Sequence, residues 1–315
     1  MQESKILFLS AVTWLILLAF FVGPVFAAKM TGAESFYSRG EALVKQGKVD
    51  AAIKEFDRAV QLKPQNTGMR TRLAWLLLDQ NRPASALPHF ERLLSQRPWD
   101  KTAISGMVIC FLKLGHPERA VVVLNKGLQF LPRDTLLLKL KGEALSSRRE
   151  TAAEAVKVYE ELLKIEPGKA DWTKSRQTAA QLAASYSYHQ AQAYLQKGDR
   201  AAALQAFKTA LEFEPKAIGY RTHYGWVLLE DGQVSQAIQA FQEVLRLDPN
   251  KRDAYTGLAL AQLRLGDPAE ALKTTARGLE LFPDEVQLLE AQAGAARARP
   301  ETLPLAEETY QRLML

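Results

Sequence analysis

Only one cysteine, Cys110, occurs in the 315 residues, which excludes an internal disulfide framework and any thiolate metal cluster. The four histidines, His89, His116, His189 and His223, never fall at a paired spacing such as H-x3-H, so the sequence carries no zinc motif. A Gly-rich phosphate loop and a G-x-S-x-G nucleophile elbow are missing as well. The sequence therefore gives no catalytic residue, no metal and no cofactor, and an enzyme is the class it supports least. No stretch is rich enough in Gly, Ser or Pro to read as a disordered linker. What is left is a chain 47% hydrophobic and 24% charged, inside the range in which most of it folds. A net charge of +6 is mild for this length and falls short of a nucleic-acid footprint.

Charge is also absent from one long stretch. Between Lys5 and Lys29 no residue is ionisable, and Ile6 to Val22 is almost wholly apolar. Gly23-Pro24 breaks the run, and Val25-Phe26-Ala27 places tolerated residues where a signal peptidase reads. Residues 1–27 read as a secretory signal peptide cut after Ala27, or as an uncleaved anchor of about the 20 apolar residues that span a bilayer. No cysteine ends the run, which excludes a lipidated cysteine there. Both readings place the remaining chain beyond a membrane, in the periplasm or cell envelope, soluble or tethered.

Residues 28–32 form a short linker, and a repeat begins after it. Ala52, Phe56, Ala59 and Pro64 follow one another at helical spacing. The pattern returns 34 residues on as Ala86, Phe90, Leu93 and Pro98, and again as Ala120, Leu124, Gly127 and Pro132. Further copies read Ala155, Tyr159, Leu162, Pro167; Ala203, Phe207, Ala210, Pro215; Ala237, Phe241, Val244, Pro249; and Ala271, Thr275, Gly278, Pro283. Upstream of them lie small residues, Gly40, Ala74, Gly142, Ala191, Gly225 and Ala259, and Gly47, Gly115, Gly198, Gly232 and Gly266 stand at the intervening turns. Small residues let two helices approach, the aromatic fills the space between them, and proline ends the second helix.

A longer period overlies the first. Phe56 and Phe207 are 151 apart, as are Pro64 and Pro215, Pro132 and Pro283, and Glu150-Thr151 and Glu301-Thr302. The sequence thus predicts two blocks of four repeats. The first covers 33–168. A connecting helical segment covers 169–183, with Asp171 as its expected N-cap. The second block covers 184–315, three full repeats and a shortened fourth.

This pattern resembles the tetratricopeptide repeat, W-x2-L-G-x2-Y…A-x3-F…P over 34 residues, across nearly all of 33–315. The resemblance implies an all-α, right-handed superhelical solenoid of helix-turn-helix units. It further implies a concave groove, lined by the first helix of each pair, that holds a peptide or another protein. Residues on first helices that recur between the blocks are Tyr37 with Tyr188, and the run Arg70-Thr71-Arg72-Leu73-Ala74-Trp75 with Arg221-Thr222-His223-Tyr224-Gly225-Trp226. By the family's geometry the partner-binding groove would be formed by Tyr37, Thr71, Arg72, Trp75, Tyr188, Thr222, His223 and Trp226. Two readings of the tryptophans stay open, as interface anchors or as packing against the next repeat. Arg70, Arg72 and Arg221 read as solvated charges. The family's Lys and Asn carboxylate clamp is not reproduced, since Tyr37, Glu41, Thr71 and Ser105 occupy those places. Cys110, within Val108-Ile109-Cys110-Phe111-Leu112, reads as a buried small hydrophobe.

The expected function is a non-catalytic scaffold or adaptor of the cell envelope, in a secretion, polysaccharide-export, pilus or electron-transfer assembly. An envelope chaperone and a self-associating structural protein are the alternatives. Nucleic acid is not an expected partner, whereas membrane association could run through residues 6–22. Residues 33–168 hold 22 Lys and Arg against 16 Asp and Glu, while 184–315 hold 14 against 17. An acidic partner, or anionic headgroups, would therefore meet the first block, and its binding would weaken with salt.

Overall fold

Alanine or another small residue every third or fourth position, with one aromatic among them, makes a helix that buries a narrow stripe. In the computed structural model, which describes residues 32–314, Ala52, Phe56 and Ala59 are all completely buried on one face of such a helix. The described chain consists of sixteen α-helices and two single 3-10 turns, with no strand. They are α1 (Gly32–Lys45), α2 (Val49–Leu62), α3 (Thr67–Asp79), α4 (Pro83–Gln96), α5 (Lys101–Lys113), α6 (Pro117–Phe130), α7 (Thr135–Ser146) and α8 (Ala152–Ile165). The series continues with α9 (Ala170–Gln196), α10 (Arg200–Phe213), α11 (Ile218–Glu230), α12 (Val234–Leu247), α13 (Arg252–Leu265), α14 (Pro268–Leu281), α15 (Val286–Arg297) and α16 (Leu303–Leu313). Odd-numbered helices are the first members of pairs and even-numbered helices the second. Residues 1–27, with the expected signal or anchor, lie outside the described residues. Among the described ones no helix is long and apolar enough to cross a membrane.

Within pairs the chain reverses through one left-handed residue. Gly47, Gly115, Gly198, Gly232 and Gly266 take φ of 73 to 86°. In the second pair Asn81 does the same work at φ 55°, and Arg82 N–H reaches back to the Leu77 carbonyl at 2.9 Å. Two pairs turn differently. After α7 and after α15 a 3-10 turn intervenes, and its last threonine is tied back to the preceding helix. Thr151 Oγ1 donates to the Leu145 carbonyl at 2.6 Å, and Thr302 Oγ1 to the Ala296 carbonyl at 2.7 Å. The same device 151 residues apart is a structural echo of the sequence duplication.

Between pairs the orphan N–H groups of the next helix are met by short acceptors. Asn66 accepts from Met69 N–H at 3.0 Å, Asp100 from Thr102 and Ala103, and Asp134 from Leu137. The long helix α9 starts otherwise. Its N-cap is Lys169, and Asp171 lies inside the first turn, which corrects the expected cap. Buried Trp172 anchors this end instead, its Nε1 donating to Glu166 at 2.8 Å, while Arg176 pairs with Glu160 at 2.7 Å.

Contacts divide the chain into two compact units, one ending at Ala144 and one starting at Leu145. In the first, Phe56, Leu73, Phe90, Leu93 and Cys110 form one core cluster, and Ile104, Phe111, Leu124 and Leu137 a second. Cys110 is fully buried, and burial pushes its thiol up to about 11. In the second unit Phe207, Leu228, Phe241, Val244 and Ala254 form the larger cluster, with Tyr255, Leu279, Leu288 and Leu289 beyond it.

The phenylalanines also decide how closely successive pairs approach. A Cβ at Gly106 would meet the Phe90 ring at 2.2 Å, and one at Gly257 the Phe241 ring at 2.3 Å. Each ring leaves its own pair to lie against the bare backbone of the next first helix, and only glycine admits it there.

Candidate protein-binding face on the first helices

In the first unit, Tyr37 and Arg72 come together through a residue between them. Glu41, one helical turn after Tyr37, accepts from Arg72 Nε at 2.6 Å and Nη2 at 3.2 Å. The Arg72 guanidinium holds the Glu41 carboxyl below its usual range, and the pairing raises Arg72 in turn. Burial first, and then the neighbouring Glu41 that its hydroxyl bonds, pushes Tyr37 upward. The Tyr37 ring packs on Phe56 with centroids 5.2 Å apart, and Arg72 lies over the same ring at 5.7 Å.

In the second unit the matching residues make a cluster with no carboxylate or guanidinium. Tyr188 Oη meets His223 Nδ1, and Gln192 Nε2 donates to Tyr188 Oη at 3.2 Å. Tyr188 stacks on Tyr220 at 4.5 Å and 24°, and on His223 at 5.6 Å and 16°. The result is an aromatic ledge contributed by α9 and α11, with His223 exposed.

The two tryptophans pack elsewhere. Trp75 stands edge-on to Phe90 at 5.6 Å, and Trp226 edge-on to Phe241 at 5.3 Å. Both are half-buried, so one edge of each indole serves the core while part of its surface stays open. Trp75 Nε1 is buried without a hydrogen-bond partner, as is Ser105 Oγ on the next first helix. Trp226 lines a cavity of about 410 Å³ with Leu229, Leu260, Leu263, Glu230 and Arg264. Thr71 is half-buried, whereas Thr222 is buried with its hydroxyl donating to the Ile218 carbonyl of its own helix at 2.9 Å.

The arginines correct the sequence reading. Arg70, Arg72 and Arg221 are half-buried, not free solvated charges. Arg70 Nη2 donates to the Pro64 carbonyl at 2.8 Å and Arg221 Nη2 to the Pro215 carbonyl at 2.6 Å. Each thus ties a first helix to the carbonyl of the proline just beyond the end of the preceding pair. Glu41, Gln192, Tyr220 and the cavity residues Leu229, Glu230, Leu260, Leu263 and Arg264 are the site residues sequence reasoning missed. The spacing of four from Tyr37 to Glu41 and from Tyr188 to Gln192 was the available signal. Among the described residues no group of three or more His, Cys, Asp or Glu could hold a metal ion.

Helix pairs of this kind, with polar and aromatic side chains on the first helices, define a helical-repeat binding module. Two tetratricopeptide-repeat models match the chain, one over residues 77–144 and 228–293, the other over 27–67, 37–101 and 188–252, together well over half its length. The chain belongs to the tetratricopeptide-repeat family, whose members generally mediate protein–protein interactions and are typically non-catalytic. No curated protein matches significantly in sequence. Similar solved structures include a tetratricopeptide repeat protein from Parabacteroides merdae, at 13% identity and a TM-score of 0.45 over 84% of this chain and 98% of that one. Another is the TPR2AB-domain:pHSP90 complex of yeast Sti1, at 16% identity and a TM-score of 0.40 over 90% and 98%. A third is YrrB, described as a TPR protein with an unusual peptide-binding site, at 18% identity and a TM-score of 0.30 over 64% and 97%.

Proposed function

We propose that this protein is a non-catalytic scaffold or adaptor of the cell envelope, gripping a segment of a partner protein along its first helices. The observation that carries the reading is the cavity beside Trp226. A large aromatic, three leucines, Glu230 and Arg264, whose Nη1 donates to the Leu229 carbonyl at 2.6 Å, surround one space on the face of α11 and α13. Such a space suits an apolar side chain next to a carboxylate or main-chain carbonyl. In the same unit the aromatic ledge of Tyr188, Tyr220 and His223 adds flat and polar contacts on α9 and α11. An envelope location is supported by the uncharged apolar run from Ile6 to Val22, which would export or tether the chain. The family's Lys and Asn clamp has no part in this reading, because Tyr37, Glu41, Thr71 and Ser105 stand in its places.

The test is a crosslinking pull-down from membranes with wild type and the double variant Trp75→Ala, Trp226→Ala. A partner captured by wild type and lost by the folded double variant is expected. Retention of the partner would remove the tryptophans from the interface. Suppression of aggregation of unrelated unfolded proteins, with no specific partner, would favour the chaperone alternative instead.

A further inference from the structure

A second open space is walled by two helices of the other kind. Between α4 and α6 a cleft of about 530 Å³ is walled by Leu94, Val123 and Gly127 and floored by Ile104 and Met107 of α5. Pro98 and Phe130 form one end of it. Gly127 lets α6 pack close on the floor, since a Cβ there would stand 2.9 Å from Ile104 Cδ1. Beside the cleft, Trp99 and Phe130 pair edge-to-face at 6.4 Å, yet are 58% and 51% exposed. Large aromatics held rigidly against each other in water have the character of interface anchors.

The surrounding charge is one-sided. Over α4 to α6 and the turn that follows, the carboxylates are largely engaged. Asp100 caps α5, Asp134 caps α7 and pairs with Lys101 at 2.8 Å, and Glu118 faces His116 at 3.4 Å. Arg92, Arg97, Lys126 and Arg133 have no carboxylate within ion-pair distance among the described residues, and Lys126 lines the cleft itself. Glu91 is the one carboxylate on its lining.

We propose that this cleft is a second protein-docking site, specific for an acidic amphipathic helix that seats a bulky apolar side chain over Met107 and sets its carboxylates against Lys126, Arg97 and Arg133. It is separate from the first-helix face and does not depend on the function proposed for that face. The second block carries different residues at the equivalent positions. Tyr255 stands at the position of Ile104, is buried, and donates its hydroxyl to the Pro249 carbonyl at 3.1 Å. Asn250 and Leu281 replace the Trp99 and Phe130 pair. Docking therefore belongs to the first unit alone, where the excess of positive charge also lies.

The experiment uses the full chain and two labelled synthetic peptides, each about four helical turns long with leucines at i, i+3 and i+4 spacing. One carries glutamate on its flanks and the other lysine. Fluorescence anisotropy should show saturable binding of the glutamate peptide only. Arg97→Glu with Lys126→Glu, and separately Trp99→Ala with Phe130→Ala, should each weaken it about tenfold or more. All four side chains are exposed, so both variants should fold, and Trp75→Ala with Trp226→Ala should leave binding unchanged. Equal binding of the lysine peptide, indifference to the cleft variants, or loss in the tryptophan double variant would overturn the proposal. So would a concentration-dependent dimer in sedimentation that Trp99→Ala with Phe130→Ala abolishes, which would assign the face to a second copy.

Discussion

Tyr37 and Tyr188 occupy the same register of the duplicated sequence, yet one heads a carboxylate–guanidinium cluster and the other an aromatic and amide one. Around Tyr37 the hydroxyl meets Glu41, and Glu41 is held by the Arg72 fork. Around Tyr188 the partners are Gln192 and His223, and Tyr220 stacks where Met69 stands in the first block. The helices are placed alike, so three substitutions on a common frame convert an ion pair into a polar aromatic ledge. What the duplication preserved is the frame: the threonine ties at Thr151 and Thr302, the arginine ties at Arg70 and Arg221, and the bare contacts at Gly106 and Gly257. What it left free to diverge is the chemistry displayed on that frame.

The strongest way to break the comparison is at the shared contacts. Gly106→Ala and Gly257→Ala each force a methyl group into a buried ring, and each should cost about 1–3 kcal/mol. Thermal unfolding would measure the loss, and hydrogen exchange should place the loosening in the first unit for one variant and in the second for the other. Gly219→Ala is the control. No atom lies within 4 Å of a Cβ there, so stability should hold or rise by about 0.5–1 kcal/mol.

A smaller effect is expected where the blocks differ. Glu41→Gln gives the first cluster the amide of the second, and removes a pair about one-third exposed, so it should cost no more than about 1 kcal/mol near neutral pH. Because Arg72 holds the Glu41 carboxyl below its unfolded value, this contribution is complete above the ordinary carboxylate range. It is lost as pH falls through the depressed folded value. Urea titrations of wild type and Glu41→Gln should therefore converge in acid, and a gap that persists there would show that shape, not charge, is what the pair contributes.

The smallest effect sits at His89, whose counterpart in the second block is the buried Ala240. Burial, and then the nearby Arg70, holds the His89 imidazole below its usual range. Its neutral form is thus the folded form. The stability this provides is present above the ordinary imidazole value and fades as pH falls toward the depressed one. Wild type should lose stability relative to His89→Ala between about pH 7 and 5, read from denaturation midpoints at several pH values.

The helix pairs were legible because each depends on local facts. Ala52, Phe56 and Ala59 recur on one face at helical spacing, Pro64 ends the helix, and a left-handed glycine makes the turn, all within one 34-residue unit. The positions of Tyr37, Trp75, Tyr188 and Trp226 on first helices were readable for the same reason. Their partners were not. Arg72 is 31 residues from Glu41 and Tyr188 is 35 from His223, so those contacts exist only once two pairs are stacked. Asn81 escaped notice because its left-handed turn is one that glycine serves elsewhere, and Asp171 misled because a long helix began one residue before it.

By itself, then, the sequence determined the class of fold, its repeat length and the duplication, since small residues, aromatics and prolines at fixed spacing act through hydrogen bonds and sterics a few residues away. Tertiary structure alone decided which arginines tie helices together and which pair with carboxylates. It also decided that α6 packs on Ile104 at Gly127, and that 151 residues on Tyr255 takes that place against Gly278. Those outcomes depend on which side chains meet across separate helices, and close packing, not sequence distance, sets that.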